Sequence, residues 1–98
     1  MKYAAIIAYS TDQAKIAEVR PAHRQYLTRL LQEGKLVASG PFLDDSGALI
    51  VYEAASPQEA TELIQADPFH AAGVFLRWDL RPWKTVIANR SHFPDGMA

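Results

Sequence analysis

The chain has 98 residues, of which 49% are hydrophobic and 21% are charged, and its formal net charge at pH 7 is −1. A chain of this length and composition is expected to fold as one domain, over residues 1–98, around a single hydrophobic core. The balanced charge gives no surface that would attract nucleic acid or an anionic membrane, and the absence of cysteine excludes disulfides, thiolate nucleophiles and cysteine-bound metals.

The first predicted element is a strand from Tyr3 to Tyr9, a short and almost continuously apolar run that ends at the turn and capping residues Ser10 to Asp12. This run lacks the long apolar core and the cleavage site of a secretory signal, and no segment is long enough to span a bilayer. We therefore predict a cytoplasmic protein without membrane contact.

Helix-forming residues follow from Gln13 to Gly34, but Pro21 lies inside this stretch. A proline in a helix interior removes a hydrogen bond and costs roughly 3 kcal/mol. The sequence therefore predicts a break near Arg20, with a short helical segment from Gln13 to Val19. The main helix is expected to begin at Pro21 and to end before Gly34.

Strand patterns then cover Leu36 to Gly40 and Ala48 to Ala54, and the capping box Ser56 to Glu59 begins a second helix that runs to about Ala66. The last strand is predicted over Phe75 to Trp83, where two residue sets alternate. Residues 91–98 have no periodicity and are expected to be a flexible tail. The order β-α-β-β-α-β predicts an α+β fold of the ferredoxin-like type, with both helices on one face of an antiparallel sheet.

The predicted sheet is apolar on both faces. A sheet with one face in water normally carries polar residues there, whereas the first strand is apolar in both of its alternating sets (Tyr3, Ala5, Ile7 and Tyr9; Ala4, Ile6 and Ala8). Two helices cover only one face, and the other would be an unusually large apolar patch for a monomer. We therefore predict a homodimer formed through the open sheet face. A charged stripe on the last strand is interpreted as solvated or as part of salt bridges between subunits (Arg77, Asp79 and Arg81).

The topology gathers polar residues at one end of the sheet. His23 lies on the same helix stripe as Leu27 and Leu30, so its imidazole is expected to face inward and to need a hydrogen-bond partner. Asp67 closes the second helix at the same end and could accept the Nδ1 hydrogen, which leaves Nε2 as a general base or acid in a cleft. Spacing alone leaves a second interpretation open, in which His23 is a satisfied core histidine and Asp67 only ends the helix.

Further residues at this end are predicted to bind a small-molecule ligand, either as apolar walls or through turn geometry (Tyr9, Ser39, Gly40, Pro41, Phe42, Phe69, His70 and Phe75). For Ser39, a role in the turn is equally consistent with its position before Gly40. A metal site formed by His23, Asp67 and His70 is an alternative, but no HxxxH or HExxH motif supports it, so no metal is assigned. Nothing in the sequence implies an organic cofactor.

Two stretches together resemble the YciI-like (YCII-related) family. The first is Arg20-Pro21-Ala22-His23-Arg24-Gln25-Tyr26-Leu27, followed by Gly34 and Ser39-Gly40-Pro41, and the second is Asp67-Pro68-Phe69, followed by Ala72-Gly73 and Arg81-Pro82-Trp83. The resemblance covers Met1 to about Ile87. It implies a dimeric α+β barrel with an active site built around a histidine and an aspartate, which correspond to His23 and Asp67.

One characterised branch of this family removes HCl from a chlorinated hydroxyquinol, so the resemblance implies lyase-type proton abstraction from a small cyclic or aromatic substrate. Fold and site architecture are shared by different chemistries, and the resemblance therefore names no single reaction. We expect a small-molecule enzyme in which His23 moves a proton and Asp67 orients it. The alternative is a non-catalytic module that binds a metabolite in the same cleft.

Overall fold

The structure, a computed structural model, describes residues 1–94. Its elements in chain order are β1 (Lys2–Tyr9), α1 (Gln13–Gln32), β2 (Leu36–Pro41), β3 (Gly47–Glu53), α2 (Pro57–Gln65), α3 (Pro68–Ala71) and β4 (Phe75–Trp83), followed by a 3-10 helix, Arg90–His92. The four strands form one antiparallel sheet in the order β2-β3-β1-β4. The predicted ferredoxin-like fold is confirmed.

The hydrophobic core lies between the helices and one face of this sheet. On β1, every second residue is buried, so Tyr3, Ala5 and Ile7 are at most 1% exposed. Leu27 and Leu30 of α1 belong to the same cluster. Strand alternation against a helical stripe thus produces one continuous core, as the sequence pattern indicated.

The predicted break near Arg20 is wrong, because α1 continues through Pro21 as one helix from Gln13 to Gln32. Proline removes a single hydrogen bond from the helix, whereas the helix buries Ile16 before the proline and Leu27 after it in the same core. Packing on both sides of Pro21 therefore outweighs the local penalty. Asp12 begins the helix, since its carboxylate accepts the backbone N–H of Lys15 at 3.1 Å.

The short helix α3 was not predicted. The sequence Asp67-Pro68 was expected only to end α2, which stops at Gln65, but the same two residues also begin a new turn. The Asp67 carboxylate accepts the backbone N–H of Phe69 at 2.9 Å, and Pro68 occupies the first helical position. This cap fixes the position of the Asp67 side chain.

An irregularity in β4 changes which of its residues face the helices. Ala8 pairs with Arg77 and the next residue, Tyr9, pairs with Phe75, so the register shifts at this point. Phe75 is consequently buried, while Leu76 is 62% exposed. The simple alternation predicted for this strand fails at its first residues because a bulge turns Phe75 toward the core.

The C-terminal segment after β4 carries the 3-10 helix Arg90–His92. Residues 95–98 of the predicted flexible tail lie outside the described part of the chain. Within residues 1–94, no helix combines the length and the hydrophobicity that a membrane crossing requires.

Candidate functional site

The structure brings His23 and Asp67 into contact. His23 is 7% exposed and Asp67 is 0% exposed. The Nδ1 atom of His23 lies 2.8 Å from both carboxylate oxygens of Asp67, one of which also accepts the Phe69 N–H. A carboxylate only accepts hydrogen bonds, so Nδ1 is the donor. In the neutral imidazole this leaves the lone pair on Nε2.

A layer of aromatic rings fixes the plane of the imidazole. The Phe69 ring stacks on the His23 ring at a centroid distance of 4.0 Å and an interplanar angle of 14°. Phe75 contacts the same imidazole with its edge at 6.0 Å, and Tyr9 packs against both phenylalanines. These rings bury the contact with Asp67 and allow the imidazole little freedom to rotate.

A cavity of about 640 Å³ opens beside His23, between α1 and the strands β2 and β3. This volume is typical of small-molecule pockets, which range from about 300 to 1,000 Å³. The α1 wall is a single stripe with helical spacing (Arg20, His23, Arg24, Leu27, Thr28 and Leu31). Most of the opposite wall is apolar, so the cavity suits a small ligand with an apolar body.

The second ring nitrogen of His23 is available to this cavity. Within residues 1–94, the only fully buried side-chain nitrogen or oxygen without a hydrogen-bond partner is the Tyr52 hydroxyl. His23 lines the cavity, and its Nε2 forms no hydrogen bond in the same part of the chain. The imidazole therefore offers the cavity an unoccupied proton acceptor whose other nitrogen is held by a carboxylate.

Tyr9 supplies a hydrogen-bond donor to the same cavity. Burial raises the pKa of Tyr9 to about 12, against the opposing effect of the positive charge on Arg20. The hydroxyl therefore stays protonated at neutral pH. Arg20 itself forms an ion pair with Asp45, with 2.7 Å between Nη2 and Oδ1.

The predicted site residues fall into two groups. Six of them line the cavity (Tyr9, His23, Ser39, Gly40, Pro41 and Phe42). Asp67, Phe69 and Phe75 are buried behind the imidazole and do not line it. His70 also lies away from the cavity, with its ring 6.5 Å from that of Trp78. Direct ligand contact by Phe69, His70 and Phe75 stays a prediction that this arrangement does not favour.

Two arginines of the cavity wall were not among the predicted site residues. Arg20 and Arg24 lie three residues before and one residue after His23, and both line the cavity with it. The signal was present in the sequence, because positions separated by three or four residues share a helix face. Because the helix was expected to break near Arg20, Arg20 and His23 were not expected to share a helix face.

The alternative of a metal site has no geometric support in the described part of the chain. Within residues 1–94, no three side chains among histidine, cysteine, aspartate and glutamate lie close enough together to hold a metal ion. His70, the third ligand considered, contacts Asp67 only through its backbone N–H, which donates to the Asp67 carbonyl at 2.8 Å, while its ring lies against Trp78.

Comparisons with known proteins agree on one family. Residues 1–84 match the YCII-related domain. Protein YciI of Escherichia coli O6:H1 (strain CFT073) is 33% identical over 95 residues, which are 83% of this chain and 97% of that protein. The uncharacterized protein YjpA of Bacillus subtilis (strain 168) is 45% identical over 62 residues, which are 63% of this chain and 72% of that protein.

A solved structure is similar as well. It is the 5-chloro-2-hydroxyhydroquinone dehydrochlorinase TftG from Burkholderia phenoliruptrix AC1100, in complex with 2,5-dihydroxybenzoquinone. The TM-score is 0.75 at 26% sequence identity, and the match covers 86% of this chain and 94% of that chain. The predicted family resemblance is confirmed by these comparisons.

Proposed function

The chain belongs to the YCII-related domain family, and from this membership we propose that it is a small-molecule enzyme in which His23 transfers a proton and Asp67 orients the imidazole. One observation carries the proposal. The buried Asp67 carboxylate holds Nδ1 of His23 at 2.8 Å, and the imidazole lines a cavity of about 640 Å³ with its Nε2 unoccupied. A positioned imidazole of this kind typically accelerates a reaction about 10²- to 10⁴-fold.

The proposed reaction class is a lyase-type elimination from a small cyclic or aromatic substrate. The similar structure is that of an enzyme named as a dehydrochlorinase, and 5-chloro-2-hydroxyhydroquinone is therefore the first substrate to test. In such an elimination, the substrate reacts as the keto tautomer in which the carbon that carries chlorine also carries a hydrogen. Nε2 of His23 accepts a hydroxyl proton of this tautomer, the O–H bonding pair forms a new C=O bond, and the adjacent C=C pair shifts to the carbon that loses chlorine. Chloride leaves with its own bonding pair, so the step needs no oxidant.

Asp67 has a defined part in this step. When Nε2 takes the proton, the imidazole becomes an imidazolium, and the Asp67 carboxylate already in contact with Nδ1 stabilises that positive charge. The stacked Phe69 ring keeps the imidazole in one orientation throughout. Tyr9, with its protonated hydroxyl, is placed to donate to an oxygen of the substrate.

Chloride release from 5-chloro-2-hydroxyhydroquinone, with identification of the organic product, tests the proposal. We expect turnover by the wild-type protein and none above the buffer rate for His23→Ala and Asp67→Ala, provided that circular dichroism shows both variants folded. Retained turnover in both variants would contradict the assignment. Tight binding without any product would favour the alternative function, a non-catalytic module that holds a metabolite in the cavity.

We also propose that two copies of the chain pair through the open sheet face. On this face Ile6 is 47% exposed and Leu49 is 40% exposed, which is unusual for neighbours on two central strands. The charged stripe Arg77, Asp79 and Arg81 pairs in register with Ala8, Ile6 and Ala4 and so flanks this apolar area. A two-fold arrangement would bury the apolar residues and bring charges of both signs together.

Light scattering on the purified protein tests the pairing. We expect a mass of twice that of the chain for the wild type and a monomeric mass for Ile6→Asp, because the new carboxylate would lie in the contact. A monomeric wild type at micromolar concentration would contradict the proposal.

The cytoplasmic location stays a prediction, which cell fractionation would test.

A further inference from the structure

The cavity beside His23 has an unbalanced charge. Two guanidinium groups, those of Arg20 and Arg24, belong to its wall, and none of its described lining residues is an aspartate or a glutamate. The nearby Asp67 carboxylate is fully buried behind the imidazole and is engaged by His23 and by the Phe69 N–H. A ligand in this cavity would therefore meet positive charge next to the proton acceptor.

The two arginines are not equivalent. Arg20 is committed to Asp45, with 2.7 Å between Nη2 and Oδ1. Arg24 is exposed and forms no ion pair within residues 1–94. An unpaired guanidinium in a cavity wall is well suited to bind an anionic oxygen, because it stays charged and forms charge-assisted hydrogen bonds, two of them in parallel where the ligand is a carboxylate.

The position of Arg24 on α1 puts its positive charge near a ligand that contacts His23. Arg20, His23 and Arg24 occupy neighbouring positions on one face of α1. Tyr9 lines the same cavity, and the positive charges of Arg20 and Arg24 oppose the effects of burial, Asp45 and Asp67, which raise the pKa of its hydroxyl. Tyr9 and Arg24 thus supply hydrogen-bond donors to the cavity that His23 lines.

We propose that the cavity selects a small anionic ring compound, whose carboxylate, phenolate or enolate oxygen binds Arg24 while its ring contacts the apolar wall. This inference rests on the proposed function only in taking the cavity as the substrate site. Arg24 is the primary anion ligand. The ion pair with Asp45 keeps Arg20 from binding the ligand, and so lowers the affinity of the cavity for the anion.

Binding of two matched probes tests this inference. Benzoate and benzamide have rings of the same size and differ in charge, and their dissociation constants can be measured by amide chemical-shift titration of the ¹⁵N-labelled protein. We expect benzoate to bind at least tenfold more tightly than benzamide, with the largest shifts around Tyr9, His23 and Arg24. Equal affinities, or no binding of benzoate at millimolar concentration, would overturn the inference.

Three variants test which residues cause the preference for benzoate. Arg24→Gln should weaken benzoate binding about tenfold and leave benzamide binding unchanged, whereas Arg29→Gln should change neither, because Arg29 lies on the same helix but outside the cavity wall. Asp45→Asn should tighten benzoate binding about threefold, since it frees Arg20, and asparagine tolerates the left-handed backbone of position 45 (φ 60°). An Arg24→Gln variant that binds benzoate like Arg29→Gln would overturn the inference.

These results are separable from the proposed catalytic role. His23→Gln should abolish chloride release and keep the preference for benzoate, because Arg24 and Tyr9 are intact. If the wild type shows no turnover of the chlorinated hydroquinone but an Arg24-dependent preference for benzoate, the anion site stands and the proposed reaction fails. If turnover is observed and benzoate has no advantage over benzamide, the reaction stands and the anion site fails.

Discussion

The two faces of the same sheet have very different environments. On β3, Ile50 faces the helices and is 0% exposed, whereas its neighbour Leu49 faces the other way and is 40% exposed. On β1, Ala5 and Ile6 show the same contrast, at 0% and 47%. Apolar residues occupy both faces, but this chain's own helices cover only one of them.

The comparison separates the apolar residues that stabilise the fold from the apolar residues on the open face, which the described residues of this chain leave partly exposed. The helix-covered face carries the core, and into that core the sequence inserts His23 and Asp67. A buried pair of ionisable side chains is weak support for stability, because the cost of desolvation can exceed their attraction. Its presence next to a cavity supports the proposed role in proton transfer. The open face, in contrast, holds apolar residues whose burial this chain does not provide.

The largest difference between the faces is expected for truncation of neighbouring residues on β3. Ile50→Ala should lower the free energy of unfolding by about 3 kcal/mol, because it leaves a hole in the packed core. Leu49→Ala should lower it by less than about 1 kcal/mol in the monomeric Ile6→Asp protein, where no second copy covers this face. Urea unfolding of both variants measures the contrast, which would be broken if the two losses were equal.

Substitution of Asp67 distinguishes its structural role from its proposed catalytic role. Asp67→Ala removes both the cap of α3 and the partner of His23, so the free energy of unfolding should fall by about 2 to 3 kcal/mol. Asp67→Asn can keep the cap and should lose about 1 kcal/mol, while turnover falls roughly 100-fold because the imidazole loses its charged partner. Thermal unfolding and turnover of both variants provide the test. An Asp67→Asn variant with wild-type turnover would show that only the structural role is real.

Alkaline pH should destabilise the covered face through its buried tyrosines. Burial raises the pKa of Tyr9 and of Tyr26 to about 12 in the fold, whereas the unfolded chain loses these protons near pH 10. Between these values the unfolded state binds fewer protons than the folded state, so stability is complete below about pH 10 and falls above it by up to about 1.4 kcal/mol per pH unit for each of these tyrosines. Unfolding midpoints between pH 8 and 12 measure this slope. Tyr9→Phe should reduce the slope by the contribution of one tyrosine, because Tyr26 and Tyr52 still titrate, and an unchanged slope would contradict the assignment.

The smallest expected changes in the free energy of unfolding come from removing the hydroxyl groups of two core tyrosines. The two changes have opposite signs. The Tyr52 hydroxyl is fully buried, and burial raises its pKa, but it has no hydrogen-bond partner within residues 1–94. The Tyr26 hydroxyl, in contrast, donates to the carbonyl of Leu63. Tyr52→Phe should therefore stabilise the protein by about 1 kcal/mol, and Tyr26→Phe should destabilise it by a similar amount. Destabilisation by Tyr52→Phe in urea unfolding would indicate a partner for this hydroxyl.

The elements whose patterns are local could be predicted from the sequence. The strands and the second helix follow from apolar runs, alternation and capping residues, and the topology follows from the order of these elements. The continuity of α1 through Pro21 could not be predicted, because it depends on burial of Ile16 and Leu27 in the same core. Likewise, Phe75 faces the core only because the pairing of β4 with β1 contains a bulge.

The candidate site divides in the same way. The inward position of His23 followed from its helix stripe, and its contact with Asp67 followed from the topology. The separation of His70 from the cavity could not be predicted, because α3 sets the direction of that side chain and was itself not foreseen. The place of Arg20 in the cavity wall required a continuous helix, which the proline rule argued against.

Nitrogen-15 NMR of histidine-labelled protein tests the central claim most directly, namely that Asp67 holds His23 so that Nε2 exchanges protons with a ligand in the cavity. The account predicts that the neutral His23 imidazole carries its hydrogen on Nδ1. It also predicts that 2,5-dihydroxybenzoquinone, the ligand in the similar structure, shifts the Nε2 signal of His23 and not that of His70, which lies away from the cavity. A hydrogen on Nε2, or an Nε2 signal that does not respond to bound ligand, would contradict the claim.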